Sequence, residues 1–137
     1  GVIAQLVKGQ TTKTKQNPTQ ATYTKKLERD SGCLDWTKPA AYLHNQVRAY
    51  YPWPSAFTFF RGKRLKILRT ECIQMNQSEK PHIQPGTILN IEPNGSLYVK
   101  TRTDPLALCC VQLEGGRSMS AFEFALGQRI QKGERFE

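Results

Sequence analysis

The chain has 137 residues, with 20 Lys and Arg against 11 Asp and Glu, and a formal net charge of +9 at pH 7. That length holds one domain with a real core plus an extension, and that charge favours an acidic partner, either nucleic acid or an anionic surface. No apolar run approaches the ~20 residues of a membrane span, and the first seven residues are too short for a signal peptide and have no basic region before them, so no membrane partner is expected.

Residues 1–7 are predicted to be the last turns of a helix that Gly9 ends. Residues 10–20 are Thr, Lys, Gln, Asn and Pro, the composition of a linker. Residues 1–30 hold six bases (Lys8, Lys13, Lys15, Lys25, Lys26, Arg29) and two acids (Glu28, Asp30). The expected division is the tail of a preceding domain plus a basic interdomain linker over 1–20, and an ordered domain over 21–137. Residues 22–27 are predicted as a short strand or extended segment, and Asp30-Ser31-Gly32 as a turn.

The stretch 34–67 organises the rest. Asp35 or Thr37 can cap a helix there, and Pro39 suits its first turn. Leu43, Val47 and Tyr50 make its apolar stripe. Pro52 stops the helix, and Pro54 stiffens the turn after it. Trp53, between two prolines, has few conformations left to lose and is expected to anchor the core. Residues 57–60 are predicted as a strand, Arg61-Gly62 as a tight turn, and 63–73 as the return strand. Period two puts Leu65, Ile67 and Ile73 on one face and Arg64 and Lys66 on the other.

Residues 76–86 are polar and predicted as a surface loop. Residues 87–91 and 96–101 form a predicted hairpin around Pro93-Asn94-Gly95, with Leu97 and Val99 opposite Tyr98, Lys100 and Arg102. After the turn 103–105, Leu106–Leu113 is apolar on both faces, as an interior strand requires. Ser120 and Glu123 have capping-box spacing, which predicts a helix over 121–126 with Gly127 as its stop. Residues 128–136 are the expected last strand. The pattern predicts a mainly β fold with two helices: an OB-fold-like closed β-barrel preceded by a helix and a basic linker. A half-open β-sandwich is the structural alternative.

Chemistry is sparse. Cys33, Cys72, Cys109 and Cys110 form no Cys-x-x-Cys pair and are expected to be buried, reduced thiols of a cytosolic protein. Cys33, His44 and Asp35 can be written down as a nucleophilic set, but nothing in their spacing makes them converge. His44 and His82, without paired cysteines or clustered carboxylates, make no metal site. Gly115-Gly116 is too short to cradle a phosphate.

The basic cluster says more. Arg61, Lys63, Arg64, Lys66 and Arg69 fall within nine positions without an acid. A solvated edge that discourages strand pairing is the bland explanation. Against it, Lys100 and Arg102 repeat the pattern on another strand, and Lys13, Lys15, Lys25 and Lys26 precede it. With Arg48 and Arg117, these are the candidate RNA-binding residues, Arg69 apart. They suit phosphate contact and recognition by shape rather than reading of bases. Trp36, Trp53, Phe57 and Phe59 can offer stacking surfaces, though core packing is the expectation for both tryptophans.

The chain resembles the C-terminal domain of methionyl-tRNA formyltransferases. The matching pieces run in family order over nearly the whole chain. They are residues 21–27 (Ala-Thr-Tyr-Thr-Lys-Lys-Leu), 34–36 (Leu-Asp-Trp), 47–54 (Val-Arg-Ala-Tyr-Tyr-Pro-Trp-Pro), 62–67 (Gly-Lys-Arg-Leu-Lys-Ile) and 85–88 (Pro-Gly-Thr-Ile). Residues 116–121 (Gly-Arg-Ser-Met-Ser-Ala), with Glu123, Phe124 and Gly127, complete the set. Pro-Trp-Pro after a helix with Met-Ser-Ala downstream is specific in combination. Tyr51 stands where the family often has Asn.

The resemblance implies an OB-like domain that binds initiator tRNA for an N-terminal catalytic domain of the same polypeptide. That domain would use 10-formyltetrahydrofolate as co-substrate. The family's Asn, His and Asp triad and its Ser-Leu-Leu-Pro folate loop have no counterpart here, so the expectation is no catalytic residue, cofactor or activity in this chain alone. The implied location is cytoplasmic, of bacterial type, or organellar. The rival readings are the accessory domain of a formyltransferase acting on a sugar nucleotide or folate, a stand-alone RNA-binding OB module, and a purely structural appendage.

Overall fold

The computed structural model describes residues 2–73 and 83–137. The elements in chain order are α1 (Val2–Val7), α2 (Ala40–Ala49), β1 (Ala56–Phe60), β2 (Lys63–Cys72), β3 (Ile88–Ile91), β4 (Leu97–Val99), β5 (Leu106–Leu113), β6 (Ser118–Ser120) and α3 (Ala121–Gly127). Short 3-10 turns cover Pro18–Gln20 and Arg29–Gly32. No helix of the described residues is long and apolar enough to cross a membrane.

The doubly apolar run is the central strand β5. One of its edges pairs with β2 along the whole length, from Leu113 opposite Leu65 to Leu106 opposite Cys72. The other edge is shared: β4 takes the first half and β6 the second. All pairings are antiparallel, in the order β1-β2-β5-β4-β3 with β6 on β5. The β1–β2 hairpin turns on Arg61 and Gly62, both with positive φ as a two-residue hairpin turn requires. An irregularity in β2 between Ile67 and Thr70 changes the alternation. Leu65 and Ile67 point inward before it, and Thr70 is buried after it.

One buried cluster gathers Ala40, Leu43 and Val47 of α2, inward residues of β1 to β5, and Ala121, Phe124 and Ala125 of α3. Trp36 is inside it, only 5% exposed. Its ring stacks on Phe136 with centroids 5.8 Å apart, and Nε1 donates to Thr58 Oγ1 at 3.0 Å. A buried indole N–H needs such a partner.

Several expectations are corrected. The sheet is open, so the closed barrel is not what forms. The last strand expected over 128–136 does not form either. The segment 133–137 instead divides its hydrogen bonds between two edges. Phe136 N–H donates to Gly86 O, while Glu137 N–H donates to Phe59 O and Phe59 N–H to Glu137 O. With the segment 86–88 it makes an isolated bridge, Thr87 with Arg135, rather than a continuous ladder, and positive φ at Arg129 and Gly133 bends the chain on its way there. The domain's two expected helices are α2 and α3; α1 lies in the N-terminal tail.

Trp53 is the clearest reversal, at 57% exposed. Trp36 occupies the core position, and the loop after α2 closes on its own hydrogen bonds instead. Ser55 N–H donates to Tyr50 O at 3.0 Å, and Ser55 Oγ donates to Pro52 O at 2.6 Å. Gly32 packs so closely that a Cβ there would lie 2.0 Å from Ser55 O. Neither Asp35 nor Thr37 caps α2. Asp35 accepts from the Thr37 N–H and hydroxyl, and the Ala40 N–H donates to Thr103 Oγ1 at 3.2 Å.

Residues 22–27 are exposed and form no strand. Gly127 sits inside α3, with Gln128 as the C-cap. Strand β6 has no counterpart among the expected elements. Cys109 is buried, but Cys33 and Cys72 are exposed. Most of the loop expected over 76–86, His82 included, lies outside the described residues.

Candidate nucleic-acid interface

The outward side of the β1–β2 hairpin carries the basic cluster. Arg64 and Lys66 alternate with buried Leu65 and Ile67 and are themselves half-buried. The Arg64 guanidinium lies over the Phe57 ring, 3.6 Å from its centroid, and its Nη2 donates to Arg29 O at 3.4 Å. Stacking on a buried ring fixes the fork in one orientation. Its Nε is buried without a polar partner among the described residues. Lys66 stands opposite Gln112 on β5. Together Arg64, Lys66, Gln112, Leu113, Glu114 and Gly115 line a recess of about 210 Å³.

A second, larger groove continues along the same two strands. It measures about 530 Å³ and is lined by Tyr51, Leu68, Arg69, Cys109, Cys110, Ser118 and Ser120. Tyr51 is 66% exposed. Sequence reasoning misses this groove. It meets Tyr51 only as a departure from a motif, and Ser118 and Ser120 belong to the unexpected β6.

The other candidate bases are distributed unevenly. Arg61 is structurally engaged: Nη2 meets Glu134 Oε2 at 2.7 Å, and Nη1 donates to Gln128 O at 3.0 Å. It also covers the Phe60 ring at 4.7 Å. The Glu134 carboxyl is held below the ordinary glutamate range, first by the Gln131 N–H and then by Arg61. Lys63 is exposed beside the hairpin turn, and Arg48 is exposed on the last turn of α2. Arg117 is exposed just before β6.

Lys100 and Arg102 are not part of the same patch. Val99 pairs with Leu106, at the opposite end of β5 from Leu113, so about 20 Å of strand lies between the two groups. Lys100 Nζ donates to Thr103 O at 3.1 Å, while Arg102 is exposed beside Lys38, whose carbonyl accepts its N–H. Lys13, Lys15, Lys25 and Lys26 sit in an N-terminal segment exposed throughout.

No nucleophilic site assembles from Cys33, His44 and Asp35. His44 Nδ1 is engaged with Thr70 Oγ1 at 2.9 Å. Partial desolvation pushes the Cys33 thiol above its ordinary value, which disfavours the thiolate. Among the described residues no group of His, Cys, Asp and Glu can hold a metal ion.

Residues 26–129 match the family model described as "Formyl transferase, C-terminal domain". Similar curated proteins include the methionyl-tRNA formyltransferase of Caldicellulosiruptor saccharolyticus, 40% identical over 88% of this chain and 38% of that protein. The Bacillus licheniformis methionyl-tRNA formyltransferase is 33% identical over 96% of this chain and 40% of its own length. That of a Synechococcus strain is 34% identical over 98% of this chain and 42% of its own. The chain thus spans about two fifths of the length of these curated relatives.

Among solved structures, a multiply substituted HypX from Aquifex aeolicus superposes with a TM-score of 0.61 at 14% identity, over 98% of this chain and 23% of that one. HypX in complex with tetrahydrofolic acid gives 0.58 at 14% identity, over 90% of this chain and 21% of that one. At that identity the likeness is one of fold.

Proposed function

The chain belongs to the formyl transferase C-terminal domain family, and from that premise we propose that it is the tRNA-binding domain of a methionyl-tRNA formyltransferase. It holds initiator tRNA so that the acceptor end reaches an N-terminal catalytic domain of the same polypeptide, which takes the formyl group from 10-formyltetrahydrofolate. Residues 1–20 are the tail of that catalytic domain and a basic linker, and residues 21–137 are the binding domain. The setting is the cytoplasm.

The observation that carries this reading is the outward pair Arg64 and Lys66 on β2, one of them fixed over Phe57, in a chain whose curated relatives are methionyl-tRNA formyltransferases. Bases held on a rigid strand meet phosphates without first losing rotamer freedom. Lys63, and Lys13, Lys15, Lys25 and Lys26 in the exposed segment, add sequence-independent attraction. Lys100 and Arg102 lie outside this patch, and they, with Arg48 and Arg117, make weaker contacts. Arg61 serves mainly to tie the hairpin to Glu134 and Gln128.

Filter binding of initiator tRNA across a salt series tests the proposal. Each phosphate contact on a duplex contributes close to one unit of slope in log affinity against log salt. Arg64→Ala with Lys66→Ala is expected to weaken binding and lower that slope by up to about two units. An unchanged slope with an intact melting profile would show that this face does not meet RNA.

A further inference from the structure

The two recesses of the outer surface are consecutive along one ladder. In the first, Lys66 faces Gln112; in the second, Arg69 faces Cys110, with the inward pair Ile67 and Val111 and the unpaired, half-buried Leu68 between them. Along β2 the seam presents Arg64, Lys66 and Arg69, and it ends against the Tyr51 ring. We propose that this β2–β5 seam takes a short unpaired RNA segment, with phosphates on Arg64, Lys66 and Arg69 and one base against Tyr51. The proposal rests on the RNA-binding reading above and names the form of RNA that this surface takes.

Arg64 and Lys66 are alternate residues of the strand and stand about 6.6 Å apart, a step commensurate with successive phosphates of a single strand, and the irregularity after Ile67 brings Arg69 to the same outer side three residues beyond Lys66. Arg69 is exposed and makes no ion pair among the described residues. The groove at its side, about 530 Å³, falls within the roughly 300–1,000 Å³ of small-ligand sites, so it admits a base with its sugar. Tyr51 offers a π-face that any base can use. Ser118 places a hydroxyl in the same groove, able to donate or accept toward a base edge or a 2′-OH. A base in a duplex cannot reach such a groove without leaving its stack, so the groove selects an unpaired nucleotide. Glu114 lines the far end of the first recess and sets the limit of the phosphate track there.

Fluorescence anisotropy with two labelled probes tests the seam: a mixed-sequence ribohexamer without secondary structure, and a blunt-ended RNA hairpin closed by a non-nucleotide linker, so that every nucleotide in it is paired. The chain is expected to bind both. Tyr51→Ala should weaken the hexamer about tenfold and the hairpin less than twofold, while Tyr51→Phe keeps hexamer affinity. Arg69→Gln should also weaken the hexamer and lower its salt slope by about 0.7, so the seam is tested even if Tyr51→Ala folds poorly. Equal loss on both probes, or no loss on the hexamer in a variant that melts like the parent, overturns the seam. A parent chain that binds the hairpin but not the hexamer overturns the seam alone. One that binds neither overturns the RNA-binding reading with it.

Discussion

The two tryptophans show what a single residue's neighbours decide. Both lie near α2, and Trp53 between prolines is the stiffer of the two. Yet Trp36 is the one that finds Phe136 and Thr58, residues 100 and 22 positions away. Nothing local in the sequence distinguishes them, because the choice depends on where the C-terminal segment lies. Trp36→Ala is expected to cost about 3–5 kcal/mol, since it removes a buried ring and orphans the Thr58 contact. Trp53→Ala should change stability by no more than about 0.5 kcal/mol. Chemical denaturation of the two variants side by side checks the pair, and equal destabilisation would refute the assignment. Gly32→Ala should cost about 1–3 kcal/mol, because the new methyl meets the Ser55 carbonyl rather than a yielding side chain.

At the scale of the element, local chemistry was legible and distant chemistry was not. Ser120 and Glu123 form the capping box their spacing announced. Ser120 Oγ accepts from Glu123 N–H at 3.1 Å, and Glu123 Oε2 accepts from Ser120 N–H at 2.9 Å. The start of α2 is capped instead by Thr103, 63 residues along, which no window of neighbouring residues can contain. Ser120→Ala should cost about 1 kcal/mol. Acid sensitivity follows from the same groups. The Glu123 carboxyl is lowered by the Ser120 N–H and hydroxyl, and that of Glu134 by the Gln131 N–H and Arg61. A carboxyl lowered on folding stabilises the fold fully above its unfolded pKa, and the effect is lost as pH falls through the folded value. The melting difference between the parent and Glu134→Gln should therefore shrink as pH drops below the ordinary glutamate range. A difference independent of pH would mean that the ion pair does not act through its charge.

The whole molecule is held at one end of the chain and free at the other. Alternation and turns gave β1 to β5, the interior position of β5 and the outward placing of Arg64 and Lys66 on β2, because these depend on periods of two within a few residues. Closure of the sheet could not be read this way. It depends on whether the final residues run continuous ladders with the edges they meet, and they make scattered bonds and an isolated bridge instead. The C-terminal segment is thus part of the core: Phe136 is 1% exposed and packs on Trp36 and Phe60. Every described residue of the segment 2–28 is exposed. Phe136→Ala should lower stability by about 3–5 kcal/mol, a fall in Tm of about 10 °C or more. Deleting residues 1–20 should leave Tm within about 2 °C of the parent, because no buried contact is lost. If the proposed linker does meet RNA, the same deletion removes Lys13 and Lys15 from the contact and weakens tRNA binding without abolishing it, since the β2 bases remain. The expected loss is modest because a flexible segment gives up entropy when it is ordered on the RNA. Calorimetry and a salt-dependent tRNA titration on the truncated chain separate the two effects. A large fall in Tm would show that residues 1–20 belong to the folded domain, and an unchanged affinity would remove the linker from the RNA contact.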